Sequence, residues 1–567
     1  MPQDAFTLRY LCQELNQIFI DGKVNKIIQP SNDQVVLTIY TRSKRTDKLM
    51  LNVNPSCPRI SIINEDLQSP LTAPNFCMLL RKHLLSSTIL GVQLIGFDRI
   101  VKIDFLTSNE FTDSVVKSLY IELMGRYSNI ILTENNRILG GNRGINMFDD
   151  GVRPLIVGKQ YVFPPVGQKT LPTDKSLIEI FSVISFEQIA TTICQNVQGV
   201  AQSTAVEIQD GFIKNYHGDK ANFSRALFDY MNDYLFNTKL SPCVVLENKT
   251  VKDVCVYPYK NSKEIIEFDA LYKAEEYYFS QKEKIKQFDG KKDRLLSVVN
   301  QAIKKNKKKL GAILSKQKEA LKAEENRIKG ELILSNIYRL KQGQKSCTLD
   351  NYYDGSKMEI ELDENISISK NAENYYKKYN KQKRTLTALQ PQIEQAQSQL
   401  NYYLSVLDEI DLCETFLDLT FIQSELEKSG LMVEKQIFQK KKETQSFCRE
   451  FLVDNFKISV GRNNVENDKL TFTAMAQDVW LHAKDYHSSH VIIHCAGKKL
   501  PDSVLLIGAE ICAYYSKARE SGKCEVVYTE RKNVKKPAKS KLGFCTYENF
   551  KSLTVKPQKH AEFLKTE

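Results

Sequence analysis

Residues 268–342 contain no proline and carry a polar, lysine-rich helical pattern. At 1.5 Å per residue a continuous helix over this stretch would reach about 100 Å. A second long helical stretch covers about 368–430, with Pro391 as the expected kink or register break. Between the two lies Cys347-Thr-Leu-Asp-Asn-Tyr-Tyr-Asp-Gly-Ser-Lys-Met-Glu-Ile-Glu-Leu362, in which Asp354–Gly355 reads as a hairpin turn. The simplest architecture is an antiparallel coiled-coil arm over 266–435, interrupted by a small β module at about 343–367. Heptad regularity is poor, so the pairing rests on length and symmetry of position rather than on a clean seam. Residues 282–309 hold eleven Lys or Arg against three acidic residues. Their densest patch is Lys304, Lys305, Lys307, Lys308 and Lys309. Most charge runs are solvated faces; five lysines on a protruding helix are also suited to RNA.

The 567 residues suggest roughly three or four domains. The formal net charge of +12 favours an anionic partner. The thirteen cysteines are scattered, and none forms a C-x-x-C pair. This fits reduced thiols rather than a zinc finger or a redox motif. Neither a signal sequence nor a membrane-length apolar run is evident, so the expectation is a soluble cytoplasmic protein without a membrane partner.

Residues 1–172 read as a β-rich domain. Gln34–Thr41, Lys48–Val53 and Arg59–Ile63 are short, β-branched runs bounded by turn residues, and helices are expected at about 5–18 and 74–87. Val157–Pro165 reads as a strand ending in prolines. Within 173–265, Phe186–Cys194 and Ala205–Ile208 flank Val197-Gln-Gly-Val200. That pattern is a helix–hairpin–helix able to present N–H groups to phosphate; two helices packed across a glycine turn would read the same way. Residues 450–560 form a last α/β domain. Strands are expected at Lys457–Gly461 and Glu525–Thr529, with a helix at Leu505–Ser516. Residues 531–541 add six basic and no acidic residues.

Two polar clusters interrupt apolar runs in the first domain: Gln93-Leu-Ile-Gly-Phe-Asp-Arg-Ile100 and Glu122-Leu-Met-Gly-Arg-Tyr-Ser-Asn129. On a strand, Asp98 and Arg99 would face opposite ways. Arg126, Ser128 and Asn129 are residue types that bind phosphate or base edges. The bland alternative is an internal salt bridge plus a turn. His482, His487, His490 and His494 cluster in the last domain, but no acid or Cys stands at diagnostic metal spacing; RNA contacts or packing are favoured over a metal. An amine on Pro2 would be a Schiff-base nucleophile of the formamidopyrimidine-glycosylase kind. Gln3 follows it, however, and cannot act as a general acid. No P-loop, Ser-His-Asp signature or paired-carboxylate motif is present, and no cofactor is implied.

Several long segments carry a resemblance. They are Leu8–Ile28, Pro74-Asn-Phe-Cys-Met-Leu-Leu-Arg-Lys-His-Leu84, the Asp98–Arg99 pair, Glu122–Asn129, Tyr352-Tyr-Asp-Gly355 and Tyr375-Tyr-Lys-Lys-Tyr379. In the last domain they are Gly461-Arg-Asn-Asn464 with Asn467-Asp468, Asp478-Val-Trp-Leu-His-Ala-Lys-Asp485, Ser489–Ile493 and Ala513-Tyr-Tyr-Ser-Lys-Ala-Arg519. In this order, over essentially the whole chain, they resemble the NFACT family of ribosome quality-control factors, in its bacterial type.

The resemblance implies a multidomain α+β protein. Its parts would be a glycosylase-like N-terminal β-rich domain, a helix–hairpin–helix domain, a long antiparallel coiled-coil arm with a small middle module, and a C-terminal α/β RNA-binding domain. The implied function is binding to obstructed large ribosomal subunits that hold peptidyl-tRNA, with recruitment of alanyl-tRNA for mRNA-independent C-terminal alanine tailing. Peptide bonds would form in the ribosomal centre, so the protein would position tRNA, as a monomer on the ribosome, without being an enzyme. Asp98 and Arg99 match the family's tRNA-recognition pair, and Glu122, Leu123 and Met124 its second segment critical for tailing. Arg126 and Asn129 extend that set by residue type. Candidate contacts to rRNA are the five arm lysines with Arg462, Asn463, Asn464, His482, Lys484, His490, Lys535 and Lys536. One departure is His487-Ser-Ser-His490 where the family usually has Pro-Gly-Ser-His, which alters the freedom of that loop. The alternatives are a surface adhesin binding fibronectin, an activity also attributed to this family, and a glycosylase using Pro2.

Overall fold

The computed structural model describes residues 3–108, 114–143, 153, 155–165, 168–218, 222–259, 262, 264–433, 448–538 and 540–564. The chain divides into two compact units, 1–284 and 285–567. Pro2 lies outside the described residues.

The first unit opens with helix α1 (Ala5–Phe19), whose N-terminus is capped by Asp4 accepting from the Thr7 N–H at 2.9 Å. Leu8, Leu11, Leu15 and Phe19 recur every three or four residues and are fully buried. Each such side chain contributes about 1.5–3 kcal/mol of burial. Strands β1 (Lys23–Ser31), β2 (Gln34–Tyr40), β3 (Thr46–Asn52), β4 (Arg59–Ile63), β5 (Thr88–Leu94), β6 (Ile100–Ser108), β7 (Ser114–Glu122), β8 (Asn129–Glu134) and β9 (Arg137–Gly141) form one antiparallel sheet. Its order is β4-β3-β2-β1-β5-β6-β7-β8-β9. The halves join where Lys23 opposes Thr88. Beyond β9, Asn142 is tied back to the β1–β2 hairpin: its Oδ1 accepts from Gln29 Nε2 at 2.9 Å and its Nδ2 donates to Asn32 O at 2.8 Å. The sheet therefore curls over a core it shares with α1.

Helix α2 (Asn75–Leu84) packs on the same core and stops short of residue 87, because Leu85 is extended and Ser86 has φ 65°. The strand expected over 157–165 is not formed. Val157–Gly158 make a turn, and Gln160 makes a single bridge to Arg137. Gly158 N–H and Tyr161 N–H donate to Ile138 O and Asn136 O, which pins the segment beside β9 without a ladder.

Helices α3 (Leu177–Phe181), α4 (Ile189–Asn196), α5 (Gln202–Asn215) and α6 (Phe223–Asn237) follow, and their apolar faces enlarge the core of the sheet. The α4–α5 hairpin turns inward. Gly199 has φ 75°, and a Cβ there would collide with Phe97 O and the Ala5 methyl. Asp4 Oδ2 accepts from the Ala201 N–H at 3.1 Å and from Thr204 Oγ1 at 2.6 Å. A carboxylate of the chain itself thus occupies the helix N-terminus, which favours the packed-hairpin alternative over the phosphate-binding one. A small sheet of β10 (Cys243–Glu247), β11 (Thr250–Cys255) and β12 (Glu264–Glu267), in the order β11-β10-β12, was not anticipated from the sequence. Helix α7 (Leu271–Ala320) begins in this unit with Leu271 and Tyr272 N–H donating to the Glu14 carboxylate. Gln3 is buried, bound to Ile60 on β4 and to Glu275 on α7.

From Ile285 onward α7 belongs to the second unit. It is followed by α8 (Ala323–Ser335), the hairpin β13 (Ser346–Asp350)–β14 (Lys357–Glu361), α9 (Ile368–Leu412) and α10 (Phe416–Lys428). The pairing of α7 with α9 is antiparallel. Leu295, Val299 and Ile303 pack with Leu400, Val406 and Ile410; farther along, Ile313 packs with Leu389 and Ala396. Asn306 sits buried in this seam and donates to Ala396 O at 2.8 Å, one reason the heptad pattern is broken. Helix α9 is continuous through Pro391. The β13–β14 loop holds Asp354–Gly355, with Gly355 at φ 75°.

The last domain contains β15 (Arg449–Val453), β16 (Phe456–Val460), α11 (Asn464–Thr473), β17 (Val479–Ala483), β18 (Val491–His494), α12 (Asp502–Tyr514), β19 (Cys524–Glu530), β20 (Val534–Lys535), β21 (Thr546–Tyr547) and β22 (Lys551–Val555). Six of the strands form an antiparallel sheet, β15-β16-β18-β17-β19-β22. Its period of two separates the faces. Leu481, Ala483, Val491, Ile493 and Val526 pack under α12, while Trp480, Ile492 and Val527 form a second cluster.

Candidate nucleic-acid interface

In the first unit the two singled-out segments become neighbouring loops at one end of the sheet. Asp98 and Arg99 do not lie on a strand. They close the β5–β6 turn, which Gly96 opens at φ 62°. Asp98 Oδ1 accepts from the Arg99 N–H at 2.7 Å, and its Oδ2 accepts from Gln198 Nε2 of the α4–α5 hairpin at 3.3 Å. The Arg99 carbonyl accepts from the Leu123 N–H at 2.9 Å, so the β7–β8 loop is stitched directly to the Asp98–Arg99 turn.

That second loop is built from inside. Glu122 is 2% exposed and opposes both Ile100 and Asn129 across the sheet. Its carboxylate takes two hydrogen bonds from Arg153, at 2.6 and 3.0 Å, and one from Tyr161 Oη at 2.7 Å. Burial first, and the Glu122 charge second, push the Tyr161 phenol well above its ordinary range. Leu123 is in the core, and Asn129 Oδ1 accepts from the backbone N–H groups of Ile130 and Arg143. Arg143 braces the loop from behind, donating to Arg126 O at 2.6 Å and Val53 O at 2.8 Å. What the loop presents outward is Arg126 and Tyr127, the tyrosine 67% exposed with the guanidinium 4.7 Å from its ring centre. Glu122, Leu123 and Asn129 therefore shape the loop, while Arg126 and Tyr127 offer a cation and a ring for phosphate or base contact.

In the second unit, Lys304, Lys305, Lys307, Lys308 and Lys309 are all exposed around the buried Asn306. The last domain treats its candidates differently. Arg462 is buried beside Asp418 and Phe421; Asn463 caps α11; Asn464 donates to Ser405, Glu409 and Glu425. His490 is 2% exposed and bound to Thr471 Oγ1 at 2.7 Å. Burial lowers the pKa of His482 and His487 to about 4 and that of His490 to about 3, so all three are neutral near pH 7. Lys484 pairs with Glu525, Lys535 with Glu548 and Lys536 with Asp468. Among the described residues no group of three or more His, Cys, Asp or Glu side chains is placed to hold a metal ion, and no helix is long and apolar enough to cross a membrane.

Residues 4–445 match the model for the NFACT N-terminal and middle domains, and residues 447–544 match that for the NFACT protein RNA binding domain. The chain belongs to the NFACT family. Within it, the chain is 31% identical to the Rqc2 homolog RqcH of Bacillus subtilis and 30% identical to that of Streptococcus suis, covering 98% of each chain on both sides. It also resembles the solved C-terminal part of the fibronectin/fibrinogen-binding protein from Streptococcus suis, at 29% identity over 49% of this chain and all of that one, with a TM-score of 0.40. Kinship with the RqcH proteins supports a role in ribosome quality control and tRNA handling.

NFACT membership assigns no roles to single residues, but the fold brings the Asp98–Arg99 turn, the 122–129 loop and the α4–α5 hairpin into one cluster. Arg143, Arg153, Tyr161 and Gln198 complete it, and sequence reasoning missed all four. They lie from 14 to 100 residues away from the side chains they hold, so no local pattern marks them.

Proposed function

We propose that this chain binds obstructed large ribosomal subunits that carry peptidyl-tRNA and recruits alanyl-tRNA for mRNA-independent alanine tailing of the stalled peptide. The observation that carries the reading is kinship with the RqcH proteins over 98% of both chains, with both family segments in order. The site chemistry agrees with it. The cluster at the end of the first sheet is rigid, half-buried and fronted by Asp98, Arg99, Arg126 and Tyr127, which suits reading one folded part of a tRNA. In this reading the guanidinium groups meet phosphate or a guanine edge, and Asp98 accepts from a base amine or orients the turn. Glu122, Leu123, Met124 and Asn129 position the loop. The exposed lysines of α7 meet ribosomal RNA. Bond formation belongs to the ribosomal centre, the protein acts in the cytoplasm as a monomer on the subunit, and its task is to position tRNA.

The test is a pull-down from cells, which should recover large subunits and alanyl-tRNA. Recovery of neither refutes the proposal. The double variant Asp98→Arg with Arg99→Asp should abolish tailing and leave subunit binding intact. Loss of both together would mean that the turn is only structural.

A further inference from the structure

The second unit contains a groove of about 780 Å³ between α9 and the last domain, within the size range of small-molecule clefts. Its lining is neutral and aromatic. Glu394 and Lys541 are the charged side chains along it, and His482, His487 and His490 are uncharged near pH 7. Inside it the rings are already organised. Trp480 is fully buried, stacks on His482 at 5.5 Å with the planes 6° apart, and touches Tyr547 at 5.2 Å. At the rim Tyr486 is 43% and Phe544 54% exposed.

Three buried polar atoms of lining side chains have no hydrogen-bond partner: Trp480 Nε1, His487 Nδ1 and Ser540 Oγ. These atoms are closed off from solvent behind the lining, so what the groove itself offers a ligand is its open aromatic rings and the polar side chains of α9. An anion does not suit a groove whose histidines are neutral. A planar heteroaromatic with donors and acceptors on its edge does, since it offers ring faces to Tyr486 and Phe544 and polar edge atoms to the exposed Gln397, Ser398 and Asn401. Lys541 lines the groove on the segment from β20 to β21, where it can meet a phosphate of the strand.

We propose that this groove receives one unpaired nucleobase of a single-stranded RNA segment. The inference rests on the reading above, that the chain works on RNA, and adds the place and the chemical form in which the last domain takes it.

Trp480 is the sole tryptophan, so the groove carries its own fluorophore. The full-length protein is titrated with an eight-nucleotide single-stranded RNA, with its blunt duplex, with AMP and UMP, and with ribose 5-phosphate. Saturable change in tryptophan emission is expected with the single strand, weaker change with the mononucleotides, and none with duplex or sugar phosphate. Phe544→Ala and Tyr486→Ala, both at exposed rings, should each weaken single-strand binding about 5- to 100-fold with unchanged thermal midpoints. Equal responses to duplex or ribose 5-phosphate, no emission change with single strand, or unaltered affinity in both variants would overturn the proposal. Co-sedimentation with large subunits in the same buffer separates the two readings: intact subunit binding with a silent groove removes only the nucleobase site.

Discussion

Replacing Glu122 by Ala should destabilise the first unit without removing any group that a tRNA touches. The side chain is 2% exposed and accepts three hydrogen bonds, at 2.6, 3.0 and 2.7 Å, from Arg153 and Tyr161. Removing one member of a buried ion pair typically costs about 3–5 kcal/mol, because the partner charge stays behind unpaired. Summing three charge-assisted bonds at about 1.5–3 kcal/mol each would give a larger figure, but such bonds are not additive, and Arg153 is 13% exposed and can partly rehydrate. The expected loss is therefore about 3–4 kcal/mol, which for a unit of this size lowers the thermal midpoint by roughly 6–16 °C. Glu122→Gln keeps the acceptor for Tyr161 and should lose about half as much. Differential scanning calorimetry of the full chain reads the shift, and filter binding of alanyl-tRNA below the transition reads recognition. Arg126→Ala is the counterpart: an unchanged midpoint with weakened tRNA binding. If Glu122→Ala leaves the midpoint within 2 °C and still abolishes tRNA binding, the assignment of Glu122 to loop construction is refuted.

Gly199→Ala should cost at least 1–3 kcal/mol, roughly, because φ 75° is strained for alanine and the new methyl meets Phe97 O and Ala5; a lower thermal midpoint of the first unit checks this. Burial pushes Glu466 up to about 7, so between the unfolded value of about 4.3 and 7 the folded state holds a proton that the unfolded chain lacks. Stability of the second unit should therefore fall as pH rises through that window, by about 4 kcal/mol from this group, and Glu466→Gln should flatten the slope of urea midpoints between pH 5 and 8. Glu409 and Glu425 are shifted the same way by burial and add to the slope. Converting Lys304, Lys305, Lys307, Lys308 and Lys309 to Gln should leave the midpoint unchanged, since all five are exposed. It should make the salt dependence of large-subunit binding shallower, by up to about 4 in the log–log slope.

The elements with strong local signals are legible in the sequence. The 3.6-residue stripe of α1, the β-branched runs of β2–β4 and the proline-free length of α7 follow from properties of adjacent residues. The reading failed where a distant partner decides. Asp98 and Arg99 looked like strand residues from the apolar run around them, but Gly96 turns the chain and Gln198 holds the turn. Val157–Pro165 has strand composition, yet its backbone meets Ile138 and Asn136 at single points and forms no ladder. The α4–α5 hairpin pattern fits a phosphate cradle and a packed glycine turn equally, and nothing local reveals that Asp4 fills it from nearly two hundred residues away. In the last domain Arg462, Asn463 and Asn464 are candidate RNA contacts through the family resemblance. Arg462 is turned inward by Asp418 of α10 and Asn464 by Glu409 and Glu425 of α9 and α10, while Asn463 caps α11.

Asp4 caps α1 and α5 with one carboxylate, Gly199 is wedged against Phe97 and Ala5, and Gln198 holds Asp98. The consequence is evolutionary as much as mechanical. The β-sheet and the helical hairpin cannot be exchanged separately between relatives, because a grafted hairpin would arrive without the aspartate, the small residue or the turn that its own sequence was selected against. Substitutions at positions 4, 5, 97, 98, 198 and 199 should drift as a linked set, and a chimera joined near residue 172 should fold only when both sides of that set come from the same parent.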